Sequence, residues 1–185
     1  MREWSDVYFV SSNKHKYLEA KEILSSFGIR LGFLQASLLE IQSDSLSEIA
    51  KTKALDAFSK CKKPIIIEDD ALVISSLGGF PGPYSSYVFD TIGNKGVIDL
   101  IRGSRSAKFY ATISYCDKKR KPILFEGITL GKIAKRISGK GWGYDPIFVP
   151  RGKTKTYAQI PDKNTMSHRY RALAKFASWF VRTQR

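Results

Sequence analysis

The chain alternates between two hydrophobic periods. Residues 7–12, VYFVSS, form a short β-rich run, and NKHKYLEAKEILSSFG (13–28) then changes rhythm. Tyr17, Leu18, Ala20, Ile23, Leu24 and Phe27 recur near helical spacing, with Gly28 placed to stop the helix. IRLGFL returns as a strand, and a strand–helix–strand order predicts parallel pairing. SLSEIAKTKALDAFSKC (45–61) predicts a second helix, opened by Ser45 and Glu48 at the spacing of a capping box. Pro64 separates it from IIIEDD (65–70), a buried strand whose exit is expected at the three acids. LGGFPGPYSS (77–86) is dense in Gly and Pro and reads as a shaped loop. YVFDTIG and KGVIDLIRG read as short helices. AKFYATISYC and KPILFEGITLGKIA read as long antiparallel strands around the basic turn DKKRKP (117–122). GKGWGYDPIFVP (139–150) is an aromatic loop leading into a strand. TMSHRYRALAKFASWFVRTQR, from Thr165, is a closing amphipathic helix with Tyr170, Leu173, Phe176, Ala177 and Phe180 on one stripe. The sum is a single α/β domain over residues 1–185, with a long central mixed β-sheet flanked by helices.

Composition adds bounds. Apolar residues make up 43% and aromatics 12% of 185 residues, enough for a core and too much for a disordered chain. No apolar run approaches the length of a membrane span. MREWSDVYFV lacks the layout of a secretory signal, and Cys61 and Cys116 show no metal spacing, so a cytoplasmic location is expected. The charge changes the picture more. With 31 basic and 17 acidic side chains the formal net charge is +14, which suits a nucleic-acid binder or an enzyme for a polyanionic small molecule. The clusters in DKKRKP and GKIAKRISGK also fit a merely solvated surface.

Four stretches carry candidate chemistry. Ser11, Ser12, Asn13, Lys14, His15 and Lys16 lie between the first strand and first helix, where hydroxyls, free helix-start N–H groups and lysines make an anion site. The same residues also make an ordinary capped helix with solvated lysines. Glu68, Asp69 and Asp70 are clustered carboxylates, which repel unless a cation sits among them, and an oxygen-rich cluster suits Mg²⁺. Strand alternation puts Glu68 and Asp70 on one face and Asp69 on the other. Glu40, after the second strand, is a further candidate ligand. In GWGYDP, Trp142, Gly143, Tyr144 and Asp145 offer stacking faces and an acceptor to a flat ligand, or two aromatics to a core. Lys163, His168 and Arg169 in KNTMSHR bring two cations and an imidazole to a helix start. A lone surface histidine is the plainer reading of His168.

In this order and spacing, the four stretches resemble the inosine/xanthosine triphosphate pyrophosphatase family over essentially the whole chain. Ser11–Lys16 is similar to the family's Thr-Gly-Asn-x-x-Lys, Glu68–Leu72 to its acidic motif, and LGGFPGPYSS, GWGYDPIF and KNTMSHRYRAL to further family segments. Ser11-Ser12 in place of Thr-Gly, Asp70-Ala71 in place of Ser-Gly and Gln159 in place of Glu are departures. The resemblance implies Mg²⁺-dependent hydrolysis of ITP, dITP or XTP to monophosphate and pyrophosphate. It further implies that Asn13 and Lys16 hold the triphosphate and that Asp69 is the general base or a metal-bound carboxylate. Glu40 and Asp69, with Glu68 as a further candidate, would ligate the metal, and Asp70 would lie near substrate. Trp142–Asp145 would wall the purine pocket, Lys163 would contact phosphate or ribose, and His168 and Arg169 would read the six-keto edge. A homodimer is implied, with no membrane partner and no obligatory nucleic acid. A Maf-type pyrophosphatase lacks support because its Ser-x-Ser-Pro-Arg-Arg opening is absent. A nucleic-acid-binding module explains the charge but not three clustered carboxylates.

Overall fold

The computed structural model describes residues 5–183; the first four residues and the last two of the expected 1–185 domain, with the ends of the N-terminal run and of the closing helix, lie outside the described residues. Seven strands and four α-helices follow in the order β1 (Val7–Ser11), α1 (Lys14–Ser25), β2 (Leu31–Gln35), α2 (Leu46–Cys61), β3 (Ile65–Ile74), β4 (Pro81–Gly82), α3 (Ser85–Leu100), β5 (Ser106–Cys116), β6 (Ile123–Ile133), β7 (Phe148–Pro150) and α4 (His168–Thr183). The sheet order is β2-β1-β3-β5-β6-β7, with β4 paired to β3. β1 pairs in parallel with both β2 and β3, whereas β3–β4 and β6–β7 are antiparallel, so the α/β class and the mixed sheet are as expected. No helix among the described residues is long and apolar enough to cross a membrane.

The chain gathers into two compact units whose boundaries fall inside β3, β5 and β6 and after the first residue of α4. The first comprises residues up to Asp69, Ala111–Gly127 and the segment from Arg169. It has a core on each face of its strands. On one face Val7, Phe9 and Ile66 pack against Ala20, Ile23 and Leu24 of α1 and Leu173, Phe176 and Ala177 of α4. On the other, Val10, Ile65 and Ile67 pack against Ala50, Ala54 and Ala57 of α2. The alternation in β3 is what strand geometry dictates: Ile66 faces one core, and its neighbours face the other. Leu18, expected on the buried stripe of α1, is half exposed instead, since Tyr17, Ala20, Ile23 and Leu24 already complete the face.

The second unit comprises Asp70–Tyr110 and Ile128–His168. Its core joins Leu72 and Ile74 of β3, Val88 and Val97 of α3, Phe109 of β5, and Tyr144, Phe148 and Tyr157. Two short helices, expected at 87–93 and 95–103, are two limbs of α3 joined at Gly93, whose φ of 63° and ψ of −171° break the helical path. Such a conformation is open only to glycine.

Candidate functional site

Asn13 caps α1: its Oδ1 accepts from the backbone N–H of His15 at 2.9 Å and of Lys16 at 3.3 Å, and Ser11 Oγ accepts from Asn13 N–H at 3.0 Å. Two helix-start amides expected to serve an anion are therefore bonded within the loop. What the stretch offers a phosphate is exposed Ser12 and Lys14, half-buried Lys16 and exposed His15.

β3 does not end at the acids. It continues through Glu68-Asp69-Asp70 to Ile74, where Leu72 and Val73 pair with Gly82 and Pro81 of β4. The expected strand exit is instead the end of β1: Tyr8 is level with Ile65 and Phe9 with Ile66, so continuing that register brings the last residue of β1, Ser11, level with Glu68. The acids begin where the neighbouring strand stops. Burying them mid-strand requires partners, and the expected alternation decides which each finds.

Glu68 shares the face of Ile66 and meets Arg169, in the first turn of α4. Arg169 Nε donates to both carboxylate oxygens of Glu68 at 2.9 and 2.8 Å, its Nη2 donates to Glu68 Oε1 at 2.6 Å, and its Nη1 donates to Glu19 of α1. The arginine is 2% exposed and the Glu68 side chain is fully buried. This corrects two expectations. Glu68 is enclosed by a guanidinium, which removes it as a metal-ligand candidate. Arg169 is held by two carboxylates of its own unit, which gives the planar fork a use other than the base edge. Glu19, a partner in this triad, was not singled out from sequence; its signal is a carboxylate beside Ala20 on the apolar stripe of α1.

Asp69 faces α2, where it meets a residue that sequence reading overlooked. Lys53 Nζ lies 2.8 Å from Asp69 Oδ1 and 2.6 Å from Glu40 Oε1, bringing together the two carboxylates expected to share a metal. The Asp69 side chain is 14% exposed and Glu40 73% exposed. Lys53 occupies a core position in the stripe Ile49, Ala50, Lys53, Ala54, Ala57, and small alanines leave room for its stem. A lysine inside an apolar helical stripe is the signal that would have found it. The helix start is also corrected in detail: Ser45 Oγ accepts from Glu48 N–H, but Glu48 takes the Ser43 hydroxyl and Ser45 N–H donates to Ser43 Oγ, so no reciprocal box forms.

Among the described residues, no group of three or more His, Cys, Asp and Glu gathers to hold a metal ion. Two carboxylates converging on one ammonium nevertheless fit a hard cation of the Mg²⁺ kind. Such an ion is bound by one or two carboxylates and completes its shell with waters and substrate phosphates, rather than by an all-protein cage.

In the second unit, Lys163 pairs with buried Asp145, and its Nζ lies 5.6 Å from the centre of the half-buried Trp142 ring. His168 is 4% exposed, not a surface histidine, and stacks on Phe109 with ring centres 4.3 Å apart and an interplanar angle of 5°. Tyr144 belongs to the core: its hydroxyl donates to Ser85 O at 2.8 Å and its ring meets Phe89 edge-on. Burial first, then the negative charges of Asp70 and Asp90, push its phenol above its ordinary value. Asp70 is half buried. Gly141 does not leave space for a ligand, since a Cβ there would meet Ala158 Cβ at 3.1 Å. Gly143 does turn the chain at a φ of 56°, and its carbonyl accepts from Asn94 Nδ2 at 3.0 Å. Of this stretch, then, Trp142 and Asp145 present functional groups, and Tyr144 supports them.

The Ham1 family model matches residues 7–179. The chain belongs to the Ham1 family. A dITP/XTP pyrophosphatase of Methanopyrus kandleri is 44% identical over 179 residues, covering 94% of this chain and 95% of that protein. One from Saccharolobus solfataricus is 40% identical over 184 residues, covering 97% and 95%. Among solved structures, a HAM1 protein from Coxiella burnetii superposes with a TM-score of 0.79 at 26% identity, covering 97% of this Ham1 chain and all of the other. The Staphylococcus aureus Ham1 protein gives 0.77 at 25%, covering 96% and 100%. Ham1 membership thus spans both units, and with it the resemblance read from the four motifs.

Proposed function

We propose that this Ham1 protein hydrolyses non-standard purine nucleoside triphosphates (ITP, dITP and XTP) to the monophosphate and pyrophosphate, with Mg²⁺, as a cytoplasmic homodimer. The observation that carries the reading is the Lys53 ammonium between Asp69 and Glu40: a buried cation beside a carboxylate base, in a chain whose relatives above are named dITP/XTP pyrophosphatases. Asp69 and Glu40 would hold the metal, which when bound neutralises phosphate charge and lowers the pKa of a bound water.

The chain's own groups divide the remaining work. Asp69 accepts the proton of the water that attacks the α-phosphorus. Lys53 offsets charge that develops on the phosphates, and Lys16, with Lys14 and the Ser12 hydroxyl, holds the triphosphate. Glu68, Arg169 and Glu19 act behind them as a positioning triad, fixing β3 against α1 and α4 so that Asp69 keeps its direction. Trp142 offers a stacking face for the purine, and Lys163, Asp145 and His168 set the polarity around it. A six-keto oxygen accepts from a donor there, whereas the six-amino group of adenine sets donor against donor. An unmatched donor costs about 1–3 kcal/mol, roughly a tenfold to hundredfold preference. The homodimer draws support from Phe80, Tyr84 and Tyr87 of the second unit, large rings exposed close together in sequence.

A nucleotide panel with and without Mg²⁺, scoring pyrophosphate against orthophosphate, tests the reading. Pyrophosphate from ITP, dITP and XTP ahead of ATP is expected. Orthophosphate release, or equal rates for ATP, would overturn it.

A further inference from the structure

The second unit holds a concavity lined by none of the residues given a part in hydrolysis above. Its volume is about 830 Å³, and its walls come from the end of β6 with the segment after it, and from the loop before Gln159. Five cations line it, Arg105, Lys132, Lys135, Arg136 and Lys155, and no carboxylate does. A sphere of that volume has a radius of about 6 Å, inside the Debye length of about 8 Å at physiological salt, so the five charges act together on anything that enters.

A chain with 31 basic side chains will crowd some of them by chance, and some of those elsewhere pair with acids: Arg30 with Asp6, Lys60 with Asp56, Lys95 with Asp99. Here the frame is built to keep cations together without one. Arg105 Nη1 donates to Ala134 O at 2.9 Å, and Ile133 N–H donates to Arg105 O at 2.9 Å, which fixes the guanidinium beside the end of β6. Buried Thr156 donates to Ser138 O at 2.8 Å, and its own N–H bonds to Gln159 Oε1 at 3.1 Å, closing the loop that carries Lys155. The volume is that of a small-molecule site, roughly 300–1,000 Å³. No aromatic ring lines it, so it lacks the stacking platform on which single-stranded nucleic acid depends.

We propose that this basic concavity is a second anion site, separate from the catalytic residues, which takes a condensed phosphate chain such as pyrophosphate, tripolyphosphate or the phosphate tail of a nucleotide. The lysines supply point charges, and Arg105 and Arg136 supply planar forks for phosphate oxygens.

The test is an amide chemical-shift titration of the full-length protein with sodium tripolyphosphate, at constant ionic strength and without divalent metal. The amides of Ala134, Ser138 and Thr156 should shift saturably, and Lys135→Gln/Arg136→Gln should weaken that saturation about a hundredfold. The same variant should melt at the wild-type temperature and keep wild-type hydrolysis of ITP. A parallel titration with ATP separates the sources: saturation by both ligands assigns the triphosphate group itself, and by tripolyphosphate alone, free condensed phosphate. Absence of saturable shifts at these amides, equal shifts in the variant, or tighter binding of a single-stranded RNA than of tripolyphosphate would overturn the proposal. Because the readout is binding at the amides of this concavity and not turnover, its failure is distinct from failure of the hydrolytic reading.

Discussion

Replacing Lys53 by Met keeps the stem that lies among the alanines of α2 and removes the ammonium between Asp69 and Glu40. Loss of one preorganised charge aimed at developing negative charge costs about 10²–10³ in kcat, so Lys53→Met should fall by that order in the folded variant, beyond a loss of stability from taking the ammonium away from Asp69. Asp69→Asn removes the base with the same shape. Turnover should drop by about 10²–10⁴, with nucleotide binding largely retained, and an unchanged single-turnover rate would exclude Asp69 from the chemistry. Arg169 makes the opposite expectation. Its removal strands two buried carboxylates, and breaking a buried pair from one side costs about 3–5 kcal/mol. Arg169→Ala should therefore appear first as a loss of stability in denaturant, and a variant of wild-type stability with a changed ITP-to-ATP ratio would return this residue to the base edge.

At the scale of elements, the apolar periods foretold nearly every strand and helix because each has one or two fully buried faces. What the periods could not tell is what lies across from a polar residue. The acids in β3 looked like a strand exit because carboxylates seldom continue a buried strand; Arg169, 101 residues downstream of Glu68, and Lys53, 16 upstream of Asp69, let this one continue. Alternation within β3 was legible, and so were Asp69 and Glu40 as companions, but the lysine joining them and the triad behind them are long-range facts. The pattern in GWGYDP left core and pocket open together, and the structure divides it between Tyr144 and Trp142. Two tyrosines report on this packing. Burial, then the hydrogen bond to Asp117, pushes the Tyr115 phenol up, and burial with two nearby acids does the same for Tyr144. A folded-state pKa above the unfolded value, about 10 for tyrosine, gives a contribution to stability that is complete below that value and lost as pH rises past it. Stability in denaturant should therefore hold to about pH 10 and then decline, and an absorbance titration should show two tyrosines ionising only as the fold opens. Tyr115→Phe and Tyr144→Phe should each flatten the decline.

For the molecule as a whole, a net charge of +14 and the basic concavity both favour polyanionic ligands, and the hydrolytic reading accounts for the carboxylates among them. The dimer is testable at the same scale. Tyr87 is 70% exposed, so Tyr87→Glu should leave the fold intact and shift the mass measured by light scattering from two chains to one; a monomeric wild type would remove the homodimer from the account. The central claim is that water attacks the α-phosphorus and pyrophosphate leaves. Hydrolysis of dITP in ¹⁸O-labelled water under single-turnover conditions, with the products resolved by mass, tests this most directly. The account predicts one ¹⁸O in dIMP and none in pyrophosphate. Label in pyrophosphate, or in orthophosphate released stepwise, would contradict it.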